Sequence, residues 1–315
     1  MSSPAPADNS REGIDLSDLR PGTTAEDVEQ AETFLQADDG EELFCQSWAP
    51  RDPRSTPRAV VCLMHGYGEH SSRYGHVGSA LARLGYRIAA IDARGHGRST
   101  GERAYIDSYQ HYVDDYQQLF DWAAARWSTD RIFGLAHSNG GLIALRHAQT
   151  HPDTADGYAL TSPMCGFADD IPPLKALSGR LLSRIWPSFS MATEVDPSTL
   201  THDEAVVDAY EQDPLVLQSA TARWFTEALA AQRAALASAD RLEQSFLFLV
   251  AGDDALTAPE ASRSLFDAMA ATDREFELYP DLYHELLNET EWQTIVRRIH
   301  EWFRRRDGGD LEGDR

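Results

Sequence analysis

Apolar positions fall along this chain in two alternating patterns. Residues 59–64 form an unbroken apolar run, and similar runs recur at 86–91, 131–135, 158–160 and 246–251. Runs of this length predict strands covered on both faces of a parallel sheet. Between them the apolar spacing lengthens to that of helices. Tyr112, Tyr116, Leu119, Phe120, Ala123 and Trp127 predict one helix, residues 141–148 another, and Trp292, Ile295, Val296, Ile299, Trp302 and Phe303 a last one. Strands alternating with helices imply a parallel α/β sheet with right-handed crossovers. Ahead of the sheet, residues 31–37 and 43–48 flank Asp38-Asp39-Gly40, a turn between two strands. A further strand is expected over 275–279.

One stretch breaks the alternation. From 166 to 244 no strand-like run occurs. Leu174, Leu177, Leu181, Leu182 and Ile185 make a helical stripe that stops at Pro187, and Trp224, Ala228, Leu229 and Leu236 suggest a second helix. Such an insertion between core strands reads as a helical cap over the sheet's C-terminal edge. The expected division is therefore an arm at 1–30, core at 31–165, cap at 166–244, core at 245–306 and a tail at 307–315. Residues 1–30 are rich in Ser, Pro, Asp and Glu and are expected to be a mostly disordered or loosely attached acidic arm.

Charge sharpens this division. The net charge is −23, which speaks against nucleic acid and against electrostatic docking on anionic lipid. Residues 1–42 carry twelve acids and two arginines, and 307–315 four acids and one arginine. Lysine occurs once, at Lys175, against 27 arginines. A high-salt habitat and an arginine-favouring codon bias both account for that balance. No apolar run approaches the roughly 18 residues of a membrane span. Cys45, Cys62 and Cys165 lie far apart without metal-ligand spacing, and no signal peptide is visible. The expected compartment is the cytoplasm, with reduced thiols.

The chemistry centres on Ala136-His137-Ser138-Asn139-Gly140, pinched between a predicted strand and a predicted helix. That is the setting of a nucleophile elbow, whose tight turn needs small residues two before and two after the serine. A serine becomes nucleophilic only when a base takes its proton and an acid orients the base. With the chain order Ser, acid, His, only His284 and His300 follow the cap. His300 lies inside the last helical stripe, so His284, in a loop after a strand, is the expected base. The expected acid ends the preceding strand at Asp253-Asp254. Asp254 is favoured because Ala255-Leu256-Thr257 can turn it back toward the site, and Asp253 is the alternative. Developing negative charge needs backbone donors. Asn139 N–H is one. The other is expected from His65-Gly66-Tyr67-Gly68-Glu69-His70, where flanking glycines let the Tyr67 N–H face the cleft. A metal reading of His65, His70 and His76 lacks a companion ligand. Residues 92–99 fit neither dinucleotide nor P-loop glycine spacing and read as a bracing loop.

Several blocks together resemble the α/β-hydrolase superfamily, in its monoacylglycerol lipase and lysophospholipase branch. They are residues 65–74, 92–99, His137-Ser138-Asn139-Gly140-Gly141, Ser162-Pro163-Met164, Asp213-Pro214-Leu215-Val216 and residues 283–289, spread over nearly the whole chain outside the tails. The resemblance implies a mostly parallel twisted sheet flanked by helices, with a helical cap inserted before the strand that carries the catalytic Asp. It implies Ser138, Asp254 and His284 as a triad, and Tyr67 and Asn139 as the oxyanion hole. It also implies an apolar acyl tunnel under the cap. The stripe of Leu174, Leu177, Leu181, Leu182 and Ile185 would either line that tunnel or pack on the sheet. Three residues depart from the family pattern: Ala136 and Asn139 beside the serine, and Tyr67, expected to narrow the cleft.

The expected activity is hydrolysis of fatty-acyl esters of single-chain lipids through an acyl-enzyme. Alternatives on the same residues are a short-chain esterase, a thioesterase, a serine peptidase or transfer to an acceptor other than water. A non-catalytic binding module is a different class and would be expected to lack one of the three residues. No cofactor and no metal are implied. The expected partner is a small lipid ester, with at most transient contact between cap and lipid aggregates.

Overall fold

The computed structural model of the chain describes residues 14–52, 56–168, 173–193 and 195–307. In chain order, β1 (Val28–Gln36) and β2 (Glu42–Pro50) form a hairpin, followed by β3 (Val60–Met64), α1 (Gly75–Arg83), β4 (Arg87–Ile91), α2 (Gln110–Trp127), β5 (Ile132–His137), α3 (Asn139–Thr150) and β6 (Gly157–Thr161). Then come α4 (Pro173–Ile185), β7 (Ser190–Ala192), α5 (Glu204–Gln212), β8 (Ser219–Thr221) and α6 (Ala222–Ala237). The chain finishes with β9 (Ser245–Ala251), α7 (Pro259–Ala268), β10 (Arg274–Tyr279) and α8 (Trp292–Arg304).

The main sheet has the order β1-β2-β4-β3-β5-β6-β9-β10. Its six strands from β4 to β10 run parallel, while β1 and β2 are antiparallel to their neighbours. Alternation along each strand explains the unbroken apolar runs. Val60, Cys62 and Met64 face the core under α2, α3 and α6, whereas Val61 and Leu63 face the core under α1 and α8. Phe246, Phe248 and Val250 divide from Leu247, Leu249 and Ala251 in the same way. A polar residue on either face would lose its hydration, so neither face offers polar positions. In α8 the whole predicted stripe is buried.

The N-terminal region differs from the expected loose arm. Its first thirteen residues lie outside the described residues, as does the tail from 308. Residues 14–27, however, are packed on α1 and α8. Leu16 and Leu19 are buried in the second core, and the Gly22 and Ala25 N–H groups donate to His76 Nδ1 and Ser79 Oγ. Trp48 Nε1 donates to Thr24 Oγ1, and Arg83 pairs with both Asp18 and Asp27. Two leucines suffice to dock a segment whose composition is otherwise that of a disordered one.

Between β6 and β9 the inserted segment carries the expected helices and also the short antiparallel pair β7–β8, which no apolar run marks: β7 is exposed throughout and β8 is buried only at Thr221. α4 stands on α6, with Gly179 against Phe225 and Ser183 Oγ 2.9 Å from Thr226 Oγ1. Leu182 shares that face and is half-buried. The other face turns outward: Leu177, Leu181 and Ile185 are 62%, 59% and 73% exposed. The expectation that this stripe lines an enclosed tunnel or packs on the sheet is therefore corrected. Gly179, Leu182 and Ser183 face the protein, and Leu177, Leu181 and Ile185 face solvent. The Leu174 side chain lies outside the described residues.

The docked N-terminal region gives a direct test. Leu16→Ala should cost about 2–3 kcal/mol in urea unfolding, whereas Asp18→Ala, which breaks a solvent-screened ion pair, should leave the urea midpoint nearly unchanged.

Candidate active site

β5 delivers the chain into the site. Ser138, directly after it, takes φ 52° and ψ −118°, a conformation that residues with a Cβ rarely adopt. The surroundings hold the turn. The Ser138 N–H donates to Thr161 O at 3.0 Å, and its carbonyl accepts from Leu142 N and Met164 N. Gly140 must be glycine, because a Cβ there would collide with the Met64 and His65 carbonyl oxygens. Ala136 sits between Met64 of β3 and Leu160 of β6 and joins the core, so its methyl is accommodated where glycine is usual.

His284 stands in the loop between β10 and α8. Its Nε2 lies 2.9 Å from Ser138 Oγ and its Nδ1 2.7 Å from Asp254 Oδ2. Asp254 follows β9 and is fixed from behind: its Oδ1 accepts from Leu256 N and Thr257 N, and its Oδ2 from Thr257 Oγ1. Asp253, the alternative, has an exposed side chain, and its N–H donates to Leu282 O. His300 pairs with the Tyr86 hydroxyl inside α8. The structure thus brings Ser138, His284 and Asp254 together and leaves Asp253 and His300 apart.

The charges suit proton transfer. Burial opposes an ionised Asp254, but the facing His284 and the Thr257 donors outweigh burial and hold the carboxyl down at about 2. Burial likewise opposes a charged His284. Asp254 by charge and hydrogen bond, with Glu285 and Glu69 behind it, outweighs that and raises its pKa above the ordinary imidazole value. With a carboxylate on Nδ1, the proton resides there, and Nε2 is left to accept from Ser138. Its neighbour His137, with ring centroid 4.7 Å away, is pushed down to about 4 by burial and by His284. It stays neutral and accepts no competing proton at neutral pH.

One backbone donor adjoins the serine, and the loop expected to supply a second passes over it. Asn139 N–H opens α3, where the first amides have no intrahelical acceptor and the helix end favours negative charge. The loop after β3 passes over the serine so closely that a Cβ on Gly66 would lie 3.2 Å from Ser138 Cβ. Tyr67 follows in that loop. Its ring, expected to narrow the cleft, packs on Trp224 of α6 at 3.7 Å, and its hydroxyl donates to Ser219 O. The Asn139 side chain is likewise occupied, accepting from the Tyr109 hydroxyl at 2.7 Å.

The histidines weighed as metal ligands have separate partners. His65 Nε2 accepts from Ala93 N, His70 Nε2 meets Asp213, and His76 bridges Gly22 N and Leu287 O. Among the described residues no group of three such side chains could hold an ion. Residues 92–99 brace the loop after β3 through Asp92, which accepts from Ser71 N and Arg98 N.

The family described as serine aminopeptidase, S33, matches residues 55–291. The chain is 32% identical over 257 residues to a monoacylglycerol lipase of Mycolicibacterium smegmatis, covering 79% of this chain and 89% of that one. The chain belongs to the α/β-hydrolases, in their monoacylglycerol lipase branch. It is a serine hydrolase of that branch. A crystal structure of Paleococcus ferrophilus monoacylglycerol lipase superposes with a TM-score of 0.72 at 28% identity, covering 88% of this chain and 98% of that one. The chain also matches an uncharacterized abhydrolase domain-containing protein of Dictyostelium discoideum at 34% identity, and there it spans only 29% of the longer protein.

One group in this α/β-hydrolase was not singled out from sequence. Glu69, Arg73 and Glu285 form a buried ionic ladder beside His284. Two of the three share a motif at helical spacing, but Glu285 is 212 positions from Arg73, and no local pattern pairs them.

The protonation state of His284 sets the pH dependence. The neutral form accepts the serine proton, so ester hydrolysis should rise with pH through a pKa above about 6.5 and be lost below it. Asp254→Asn should lower kcat by about 10³–10⁴-fold, while Asp253→Asn should leave it within about twofold. A kcat/KM profile of the three proteins checks both.

Proposed function

We propose that the protein hydrolyses the fatty-acyl ester of single-chain lipids, monoacylglycerol or lysophospholipid. The observation that carries this reading is the unbroken relay from Asp254 through His284 to Ser138, with contacts of 2.7 and 2.9 Å, on a strained turn. Ser138 Oγ attacks the ester carbonyl as its proton passes to His284 Nε2. The tetrahedral oxyanion is held by the Tyr67 and Asn139 N–H groups. His284 returns the proton to the departing alcohol, leaving an acyl-Ser138. Water then attacks with His284 again as base, and the fatty acid leaves.

The lipid substrate is supported by the relatives named monoacylglycerol lipase and by the outward leucines of α4, which continue into Trp186 and Met191, both more than half exposed. Large apolar side chains exposed this close together in sequence suit contact with an apolar partner. We assign this face to transient contact with lipid aggregates, from which the substrate is drawn. The S33 description suggests aminopeptidase activity as a second reading. Capture of a substrate's free amine needs an uncommitted carboxylate, and Glu69 and Glu285 beside His284 are both spent on Arg73, which favours the ester. Cys45, Cys62 and Cys165 are free thiols, with Cys45 pushed up to about 12 by burial, which supports a reducing cytoplasmic setting. Among the described residues no helix is long and apolar enough to cross a membrane.

Fatty-acid release from a monoacylglycerol, compared between wild type and Ser138→Ala in low and molar salt, tests the reading. The variant should lose about a thousandfold or more. A wild type without turnover on monoacylglycerol or lysophospholipid would sink the lipid assignment. Replacing Leu177, Leu181 and Ile185 together by serine should lower the rate on vesicle-embedded substrate several-fold and leave a soluble short-chain ester unaffected. Equal loss on both would remove α4 from lipid contact.

A further inference from the structure

Arg73 is buried next to the site and so are both of its partners. Its Nη1 donates to Glu69 Oε2 and Glu285 Oε1, and its Nη2 to Glu285 Oε2, each at 2.7 Å. Relative exposures are 9% for Arg73, 3% for Glu69 and 4% for Glu285. Two acids and one base taken out of water contribute little net stability, because desolvation offsets their attraction. The placement of the group therefore needs another reason.

Each carboxylate reaches a different part of the catalytic apparatus. Glu69 Oε1 accepts from the Gly66 N–H at 2.6 Å and from the Tyr74 hydroxyl at 2.6 Å. The Gly66 N–H belongs to the residue just before Tyr67, so this bond sets the orientation of the loop that presents the Tyr67 N–H. Glu285 directly follows His284, and its Oε2 also accepts from Asn288 Nδ2. The cap covers the ladder: the Arg73 guanidinium lies 4.9 Å from the Tyr210 ring centre, and Glu285 N–H donates to Leu200 O.

We infer that Arg73 is a positioning residue for acyl transfer, tying the loop that presents the Tyr67 N–H to the loop that carries His284. The inference rests on the roles proposed above for Ser138, His284 and Tyr67. The ladder also has an electrostatic side. His284 faces Asp254 from the β9 loop, His137 from β5, Glu69 from the β3 loop and Glu285 from its own loop. Asp254, Glu285 and Glu69 all favour its charged form. Arg73 compensates the last two. Burial opposes ionisation of Glu69, but the Arg73 guanidinium beside it leads the interactions that outweigh burial and hold the carboxyl below the usual carboxylate range. Without Arg73, two uncompensated carboxylates would face His284 and hold its proton more tightly.

Hydrolysis of p-nitrophenyl butyrate by the full chain, measured as kcat and KM across pH and well below each variant's melting temperature, tests this. Arg73→Met should lower kcat by about 10- to 100-fold with little change in KM and move the acid limb of kcat/KM to higher pH. Arg73→Lys, which keeps the charge and loses the fork, should return the acid limb toward wild type. Glu285→Gln removes a carboxylate beside His284 and should move the limb the opposite way, to lower pH. Damage to folding cannot produce opposite shifts in two variants. If Arg73→Met does not fold, Arg73→Lys and Glu285→Gln carry the test. Wild-type kcat and an unmoved acid limb in the folded variants would overturn the inference. Labelling of Ser138 by a fluorophosphonate separates the two levels: an unlabelled, inactive wild type overturns the serine reading and the inference with it, whereas a labelled, active wild type beside unchanged variants overturns the inference alone.

Discussion

The site depends on how closely α3 can approach the end of β3. At Gly140 no Cβ fits between the helix and the Met64 and His65 carbonyls, and at Gly141 a Cβ would stand 2.7 Å from Pro163. Contact at this range forces Ser138 into its left-handed turn. It also brings together three strand ends that are neighbours in the sheet. β3 contributes the Gly66–Tyr67 loop, β5 the serine, and β6 the Pro163–Met164 segment whose N–H holds the Ser138 carbonyl. A larger residue at 140 would open this junction and move the serine away from the loop after β3, so the strain at Ser138 goes with close packing.

Charge is managed by the same closeness. The chain carries a net −23, yet the pocket around His284 holds few free charges. Its acids are committed: Asp254 to His284 and Thr257, Glu69 and Glu285 to Arg73. The histidines of β5 and of the loops after β3 and β4 are kept neutral by burial, with His137 near 4, His96 near 3 and His65 lowered. His284 alone among these four is raised, because it has a carboxylate in contact and the others do not. One imidazole whose charged form is favoured, among neighbours held neutral, is what general base catalysis requires.

Much of this was legible in the sequence because parallel strands must be apolar on both faces and because loops at strand ends carry unusual residues. The runs at 59–64 and 246–251 became β3 and β9 within a residue. The loops that leave them hold Tyr67 and Asp254. Three features were not legible, each for its own reason. Leu16 and Leu19 are too few to outweigh an acidic, proline-containing context, yet two side chains and a few backbone bonds dock that segment. The α4 stripe has the right period for a buried face, but period does not say which face meets the protein, and Gly179 and Ser183 allow the closer approach to α6. Arg73 and Glu285 meet only through the fold.

The inserted segment divides accordingly. Its β8 side is bound to the catalytic loops: Leu217 N–H donates to Gly68 O at 2.7 Å, Ser219 O accepts from Tyr67, and Asp213 meets His70. Its α4 side touches α6 and otherwise faces solvent. The bound half cannot shift without disturbing the Tyr67 loop, so its residues are constrained by the chemistry. The free half carries no such constraint, and its apolar surface can vary with the form in which substrate is presented. The outward surface of α4 can therefore change while the 2.9 Å contact between Ser138 and His284 stays as it is.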